Sequence, residues 1–120
     1  MYFQKVRGHF DAAHFLPGYQ GKCANLHGHR WEVVWTVKTP VLENGMGADF
    51  GWLKTRLENV LEVFDHSIVN MRLENPTAEN IAKMLYLELS VDLPSTFPYL
   101  QMHNLEVFES PDSSVTYWEG

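Results

Sequence analysis

Between His27 and Lys38 the side chains alternate, with His27, His29, Trp31, Val33, Trp35 and Val37 on one parity and Glu32, Thr36 and Lys38 on the other. A period of two belongs to an extended strand, whose successive side chains point to opposite faces. The segment therefore belongs in a sheet, with its Trp/Val face on a core. The same phase has a chemical consequence. His27 and His29 stand at the head of the apolar face, Gly28 between them removes side-chain crowding, and both imidazoles converge on one side. The only cysteine of the chain, Cys23, precedes His27 in the loop that leads into this strand.

Residues 2–14 alternate more loosely, with Tyr2, Val6, Phe10, Ala12 and His14 on one face and Lys5, Arg7, His9 and Asp11 on the other. Residues 15–26 contain Pro17, Gly18 and Gly21 and read as a loop. Strand, loop and strand make a long hairpin, which brings His14, at the end of the first apolar face, beside His27 and His29. The third imidazole arrives by topology, not by local spacing. Catalytic zinc commonly has three protein ligands and a fourth position for water or substrate. His14, His27 and His29 are accordingly candidate zinc ligands; His9, on the opposite face, is not. A bare His-x-His also reads as two polar residues at a strand start, and it is the hairpin that weighs for a metal.

Residues 39–48, with Pro40, Asn44, Gly45 and Gly47, read as a loop, and Asp49 is suited to cap a helix. Apolar positions 50, 53, 57, 60, 61 and 64 then follow a helical period. Residues 65–74 look irregular. Asn75 and Pro76 suggest an N-cap and a proline at the first helical position, ahead of a second stripe of Ala78, Ile81, Ala82, Leu85 and Leu89. Pro94, Ser95 and Pro98 interrupt the chain, after which His103, Leu105, Val107 and Glu109 alternate against Asn104, Glu106, Phe108 and Ser110. A turn at Pro111–Ser113 leads to a last short strand, Val115 to Trp118. The order is ββααββ in one domain over residues 1–120. The expected class is α+β, a four-stranded antiparallel sheet with two helices on one face. Its open edges invite pairing with another subunit, so an oligomer that continues the sheet is expected.

Composition narrows the function. The net charge is −6, from 9 basic and 15 acidic residues. With no Lys/Arg run, this argues against nucleic acid as a partner. No apolar run is long enough to cross a bilayer, so no membrane association is expected. A single cysteine makes no intrachain disulfide, which suits a reducing cytoplasm where a free thiol can be used chemically.

Three further candidates each have two readings. Cys23 is either a small buried apolar residue or, near a metal, a thiol of lowered pKa able to act as thiolate. Asp65-His66 is either a solvated helix end or an imidazole oriented by a carboxylate, the arrangement that activates a thiol or hydroxyl. Glu109 shares a strand face with Leu105 and Val107; either the strand has reached solvent there, or a partly buried carboxylate holds a ligand with adjacent N–H donors, such as the edge of a pterin ring.

Six segments together resemble the 6-pyruvoyl tetrahydropterin synthase family, and within it the bacterial carboxytetrahydropterin branch of queuosine biosynthesis. They are Phe10-Asp-Ala-Ala-His14, Cys23-Ala-Asn-Leu-His27-Gly-His29, Asp49-Phe-Gly-Trp-Leu-Lys54, Asp65-His66, Asn75-Pro-Thr-Ala-Glu-Asn80 and Val107-Phe-Glu109. The resemblance implies the tunnelling fold, in which trimers close a twelve-stranded barrel and two trimers stack into a hexamer with sites at subunit interfaces. It implies Zn2+ on His14, His27 and His29, catalysis by Cys23, Asp65 and His66, and Glu109 as the pterin anchor. The substrate implied is 7,8-dihydroneopterin triphosphate. The Cys-x-x-x-His-x-His spacing matches the branch that releases acetaldehyde and makes 6-carboxytetrahydropterin; the animal pyruvoyl enzymes have a longer spacer. The alternatives are 6-pyruvoyl tetrahydropterin synthase and, in another class, a non-catalytic oligomer that binds zinc or pterin. Asp11 and Ser110 depart from the family's usual residues.

Overall fold

Two thirteen-residue strands, β1 (Tyr2–His14) and β2 (His27–Thr39), pair antiparallel along their whole length, from Tyr2 opposite Thr39 to His14 opposite His27. The computed structural model describes residues 1–91, 93 and 97–120; Pro94 and Ser95, expected to interrupt the chain, lie outside the described residues. Helix α1 (Phe50–Glu62) follows, then the two-residue strand β3 (Ser67–Ile68), helix α2 (Ala78–Ser90), β4 (Gln101–Ser110) and β5 (Ser113–Tyr117). The sheet order is β3-β1-β2-β4-β5. The fold is α+β as expected, but the ββααββ order gains one short strand between the helices: the sheet has five strands rather than four and is mixed rather than purely antiparallel, because β3 pairs parallel to β1 at Ala12 and Ala13.

Both helices lie on the face that carries the alternating apolar residues. Val6, Phe10, Trp31, Val33, Trp35, Val37, Leu105 and Val107 from the sheet meet Leu53, Leu57 and Leu61 of α1 and Ile81, Leu85 and Leu89 of α2, all nearly solvent-free. Gly8 lets α1 approach β1: a Cβ there would stand 2.9 Å from Leu61 Cδ1 and 3.2 Å from Leu57 Cδ2. Tyr2 and Phe50 keep the expected phase but are exposed, since strand and helix start beyond the edge of the core.

The helix starts show one agreement and one correction. Asp49 caps α1, its carboxylate accepting from the Trp52 amide at 3.2 Å. For α2 the cap is Thr77, whose hydroxyl accepts from the Asn80 amide at 3.1 Å, so Asn75 and Pro76 lie ahead of the helix. The cap thus falls two residues after the expected Asn75, and the Pro76 carbonyl, outside the helix, is left free for another role.

β4 carries two irregularities. Thr36 faces Asn104 while Val37 faces Met102, so His103 is the extra residue of a bulge. His103 therefore leaves the Leu105/Val107 face assigned to it by alternation, and its ring packs edge-on against Phe3, centroids 4.8 Å apart. Further along, Phe108 faces Ser114 and Ser110 faces Ser113, which leaves Glu109 as the extra residue opposite β5. Pairing with β2 has already ended at Glu32 and Phe108, so neither neighbour holds Glu109 in a ladder.

The chain is elongated, 52 × 26 × 24 Å with a radius of gyration of 15.3 Å; a compact chain of this length has about 13–14 Å. Residues 2–10 of β1 have no strand partner on their outer edge among the described residues. No helix is long and apolar enough to cross a membrane among the described residues.

Candidate metal centre and active site

Register alone assembles the three histidines. His14 faces His27 directly and Ala12 faces His29, so the end of β1 and the start of β2 put all three side chains on the helix side of the sheet. The ring centroids lie 4.5 Å (His14–His27), 5.3 Å (His14–His29) and 4.8 Å (His27–His29) apart. Trp31 forms the floor, 4.8 Å from His14 and 5.3 Å from His29, and its indole N–H donates to the Ala12 carbonyl at 3.2 Å.

The tautomers follow from the partners. His14 Nδ1 lies 2.7 Å from the Pro76 carbonyl, and His27 Nδ1 lies 2.7 Å from the Asn25 carbonyl. A carbonyl only accepts, so in both rings Nδ1 carries the proton and Nε2 presents a lone pair. Nε2 of His14 and of His29 is buried with no hydrogen-bond partner. Buried polar atoms are normally satisfied, and the inward lone pair of His14, on a ring oriented through its other nitrogen, is the usual preparation of a metal ligand. Burial lowers the His29 pKa, the Glu109 carboxylate opposing it in part, so His29 is disposed to be neutral and available for ligation.

Glu109 joins the same group on the face it shares by alternation with Leu105 and Val107, free of both neighbouring ladders. Its Oε1 lies 3.5 Å from His29 Nε2, and one donor atom from each of His14, His27, His29 and Glu109 falls within 4.8 Å of the others. Imidazole nitrogens with a carboxylate suit zinc by donor type. Glu109 also borders two hollows. One, of about 260 Å³, lies between the start of α2 and the β4–β5 turn, lined by Glu79, Ser110, Ser113 and Ser114. The other, of about 660 Å³, opens where β2 and β4 part, beside His29, Arg30 and Phe108.

Cys23 sits half-buried in a single 3-10 turn, Lys22–Ala24, within the loop that joins His14 to His27. Its carbonyl accepts from the Leu16 amide at 2.8 Å and closes that loop.

Asp65 and His66 follow α1 and are held against the outer edge of β1. Asp65 Oδ1 accepts from the Asp11 amide at 2.9 Å, the His66 amide donates to the Asp11 carbonyl at 2.6 Å, and Asp65 Oδ2 lies 2.8 Å from His66 Nδ1. The carboxylate thus orients the imidazole and leaves its Nε2 outward. The Asp11 amide first, and His66 second, hold the Asp65 carboxyl below its ordinary range. His66 is left-handed at φ 58° and its side chain is 81% exposed. Within the protomer its hydrogen-bond partner is Asp65, and no described bond joins it to Cys23.

The backbone carbonyls of Asn25 and Pro76 were invisible as site groups in the sequence, because a carbonyl carries no side-chain signal. Arg30 likewise carries no sequence signal for the site: its guanidinium forks onto the Asp11 carboxylate at 2.9 and 3.0 Å on the face opposite the histidines.

A strand hairpin with two helices on one face thus carries a three-histidine pocket at one end. The solved structure of Caenorhabditis elegans 6-pyruvoyl tetrahydropterin synthase has the same fold, with a TM-score of 0.84 at 24% identity, covering 99% of this chain and 96% of that one. The family model described as 6-pyruvoyl tetrahydropterin synthase matches residues 4–120, and the chain belongs to that family. Among curated relatives, a putative 6-carboxy-5,6,7,8-tetrahydropterin synthase of Archaeoglobus fulgidus is 42% identical over 81 residues, 68% of this chain and 70% of the relative. The 6-carboxy-5,6,7,8-tetrahydropterin synthase of Synechocystis is 35% identical over 118 residues, 91% and 87% of the two chains. A dihydroneopterin monophosphate aldolase of Pyrococcus furiosus is 29% identical over 109 residues, 91% and 90% of the two.

Proposed function

We propose that the protein is a zinc-dependent 6-carboxy-5,6,7,8-tetrahydropterin synthase, converting 7,8-dihydroneopterin triphosphate and water to 6-carboxytetrahydropterin, acetaldehyde and triphosphate in the cytoplasm, on the route to queuosine. The observation that carries it is the convergence of one donor atom from each of His14, His27 and His29 within 4.8 Å, with His14 Nε2 buried and unpartnered. The names of the A. fulgidus and Synechocystis relatives, and the spacing from Cys23 to His27, support this branch over the pyruvoyl one.

His14, His27 and His29 hold the zinc, which supplies Lewis acidity to the hydroxyls of the substrate side chain. Glu109 accepts the N–H donors of the pterin. Making it a fourth ligand would close the position that a catalytic zinc keeps open, so we assign it to the substrate. Cys23 and His66 move protons along the side chain, and Asp65 keeps His66 in the tautomer whose Nε2 accepts. Triphosphate leaves and the carbon–carbon bond that frees acetaldehyde breaks. The exposed His66 and the uncovered edge of β1 support an assembly in which sites form between subunits, a dimer of trimers.

Incubation of the purified protein with 7,8-dihydroneopterin triphosphate tests this reading. Acetaldehyde and 6-carboxytetrahydropterin in equal amounts are expected; a 6-pyruvoyl product without acetaldehyde would contradict it. The P. furiosus relative favours a second reading, aldol cleavage of a dihydroneopterin monophosphate. Turnover confined to the monophosphate would select it.

A further inference from the structure

Asp11 holds a junction between the histidine strand and the Asp65–His66 pair. On β1 it faces Arg30, the residue next to His29 on β2. Its carboxylate takes the two-pronged contact from Arg30 Nε and a terminal nitrogen, 2.9 and 3.0 Å. Its backbone, turned away from β2, makes both bonds that place Asp65 and His66: amide to Asp65 Oδ1 at 2.9 Å, carbonyl from the His66 amide at 2.6 Å. His66 adopts a left-handed φ of 58°, which few non-glycine residues do without support from their surroundings. A fork contact fixes a carboxylate in orientation as well as distance. We propose that the Arg30–Asp11 pair is a positioning device: by fixing Asp11 it holds the Asp65–His66 pair in place and in step with the histidine strand. The proposal rests on the reading of Asp65–His66 as the proton-transfer pair.

Arg30→Gln, Arg30→Lys, His66→Ala and the double variant Arg30→Gln/His66→Ala, all zinc-loaded, separate the two. Arg30→Gln is expected to lower kcat about tenfold or more, as misplacement of a catalytic group does, with KM and bound zinc within about twofold. Arg30→Lys, which keeps the charge without the fork, falls between. Exchange of the His66 amide, followed by NMR, accelerates in Arg30→Gln, a readout independent of turnover. In the His66→Ala background, Arg30→Gln has no further effect on kcat. An equal loss in both backgrounds, or unchanged kcat and exchange in Arg30→Gln, would overturn the proposal. Full turnover by His66→Ala would remove the underlying assignment instead. If Arg30→Gln fails to fold, Asp11→Asn, which keeps the backbone contacts and weakens the pair, carries the same comparison.

Discussion

Glu109 sets a carboxylate oxygen 3.5 Å from His29 Nε2, and it does so from a bulged position that neither β2 nor β5 pairs. The contact joins the end of one strand to the start of another. It gives Glu109 two competing uses, anchor for the pterin or ligand to the metal. Glu109→Gln distinguishes them. As an anchor, its loss of charge weakens pterin binding about ten- to hundredfold, the worth of a charged hydrogen bond, while zinc per chain is unchanged. As a ligand, it loses zinc in proportion. In the metal-free protein the carboxylate is also what opposes the burial of His29, so Glu109→Gln lowers the His29 pKa further, which an NMR titration reads.

The Asp65 contacts make stability depend on pH in a defined direction. The Asp11 amide and His66 hold the Asp65 carboxyl below its ordinary value. A carboxyl with a depressed folded pKa adds stability above its unfolded pKa and loses it as pH falls through the folded one. Asp65→Asn is therefore less stable than wild type at pH 7, and the gap narrows below about pH 4. Urea titrations at pH 7 and pH 3 measure it; an equal gap at both would mean the carboxylate charge is not what Asp65 contributes.

Cys23 lies in the loop between His14 and His27, outside the group of four converging donors. Cys23→Ser is expected to retain zinc and fold, and to lose turnover by about a hundredfold or more, the range for a positioned proton-transfer group starting there. Metal content and kcat on the same preparation check both halves.

Much of this was legible in the sequence because period-two alternation is a direct readout of facing. Trp31, Val33, Trp35 and Val37 took the core face, and His27 and His29 followed the same phase to the same side. The loop between the strands closed on itself, so His14 met them. What alternation cannot register is an inserted residue. The bulges at His103 and Glu109 change phase or free a side chain without any change in residue type. Nor does a pattern of side chains reveal backbone acceptors: the Pro76 carbonyl orients His14 from 62 positions away, and the helix cap fell to Thr77 beside it. The short strand at Ser67–Ile68 was read as irregular because two residues give no period.

The fit between α1 and β1 supplies a stability test remote from the site. A methyl at position 8 would press on Leu61 Cδ1 at 2.9 Å and Leu57 Cδ2 at 3.2 Å. Both are ends of side chains able to shift a little within a packed core, so Gly8→Ala costs about 1 kcal/mol, the low end for overpacking. Urea unfolding measures it. A stabilised variant would mean the helix sits farther from the strand.

The proposed chemistry depends on His14, His27 and His29 sharing one metal ion. Anomalous diffraction at the zinc edge from crystals of the zinc-loaded protein locates that ion directly. The expected result is one strong peak per chain, about 2.0–2.1 Å from Nε2 of each of the three histidines. A peak elsewhere, or one that leaves His14 unliganded, would contradict the site.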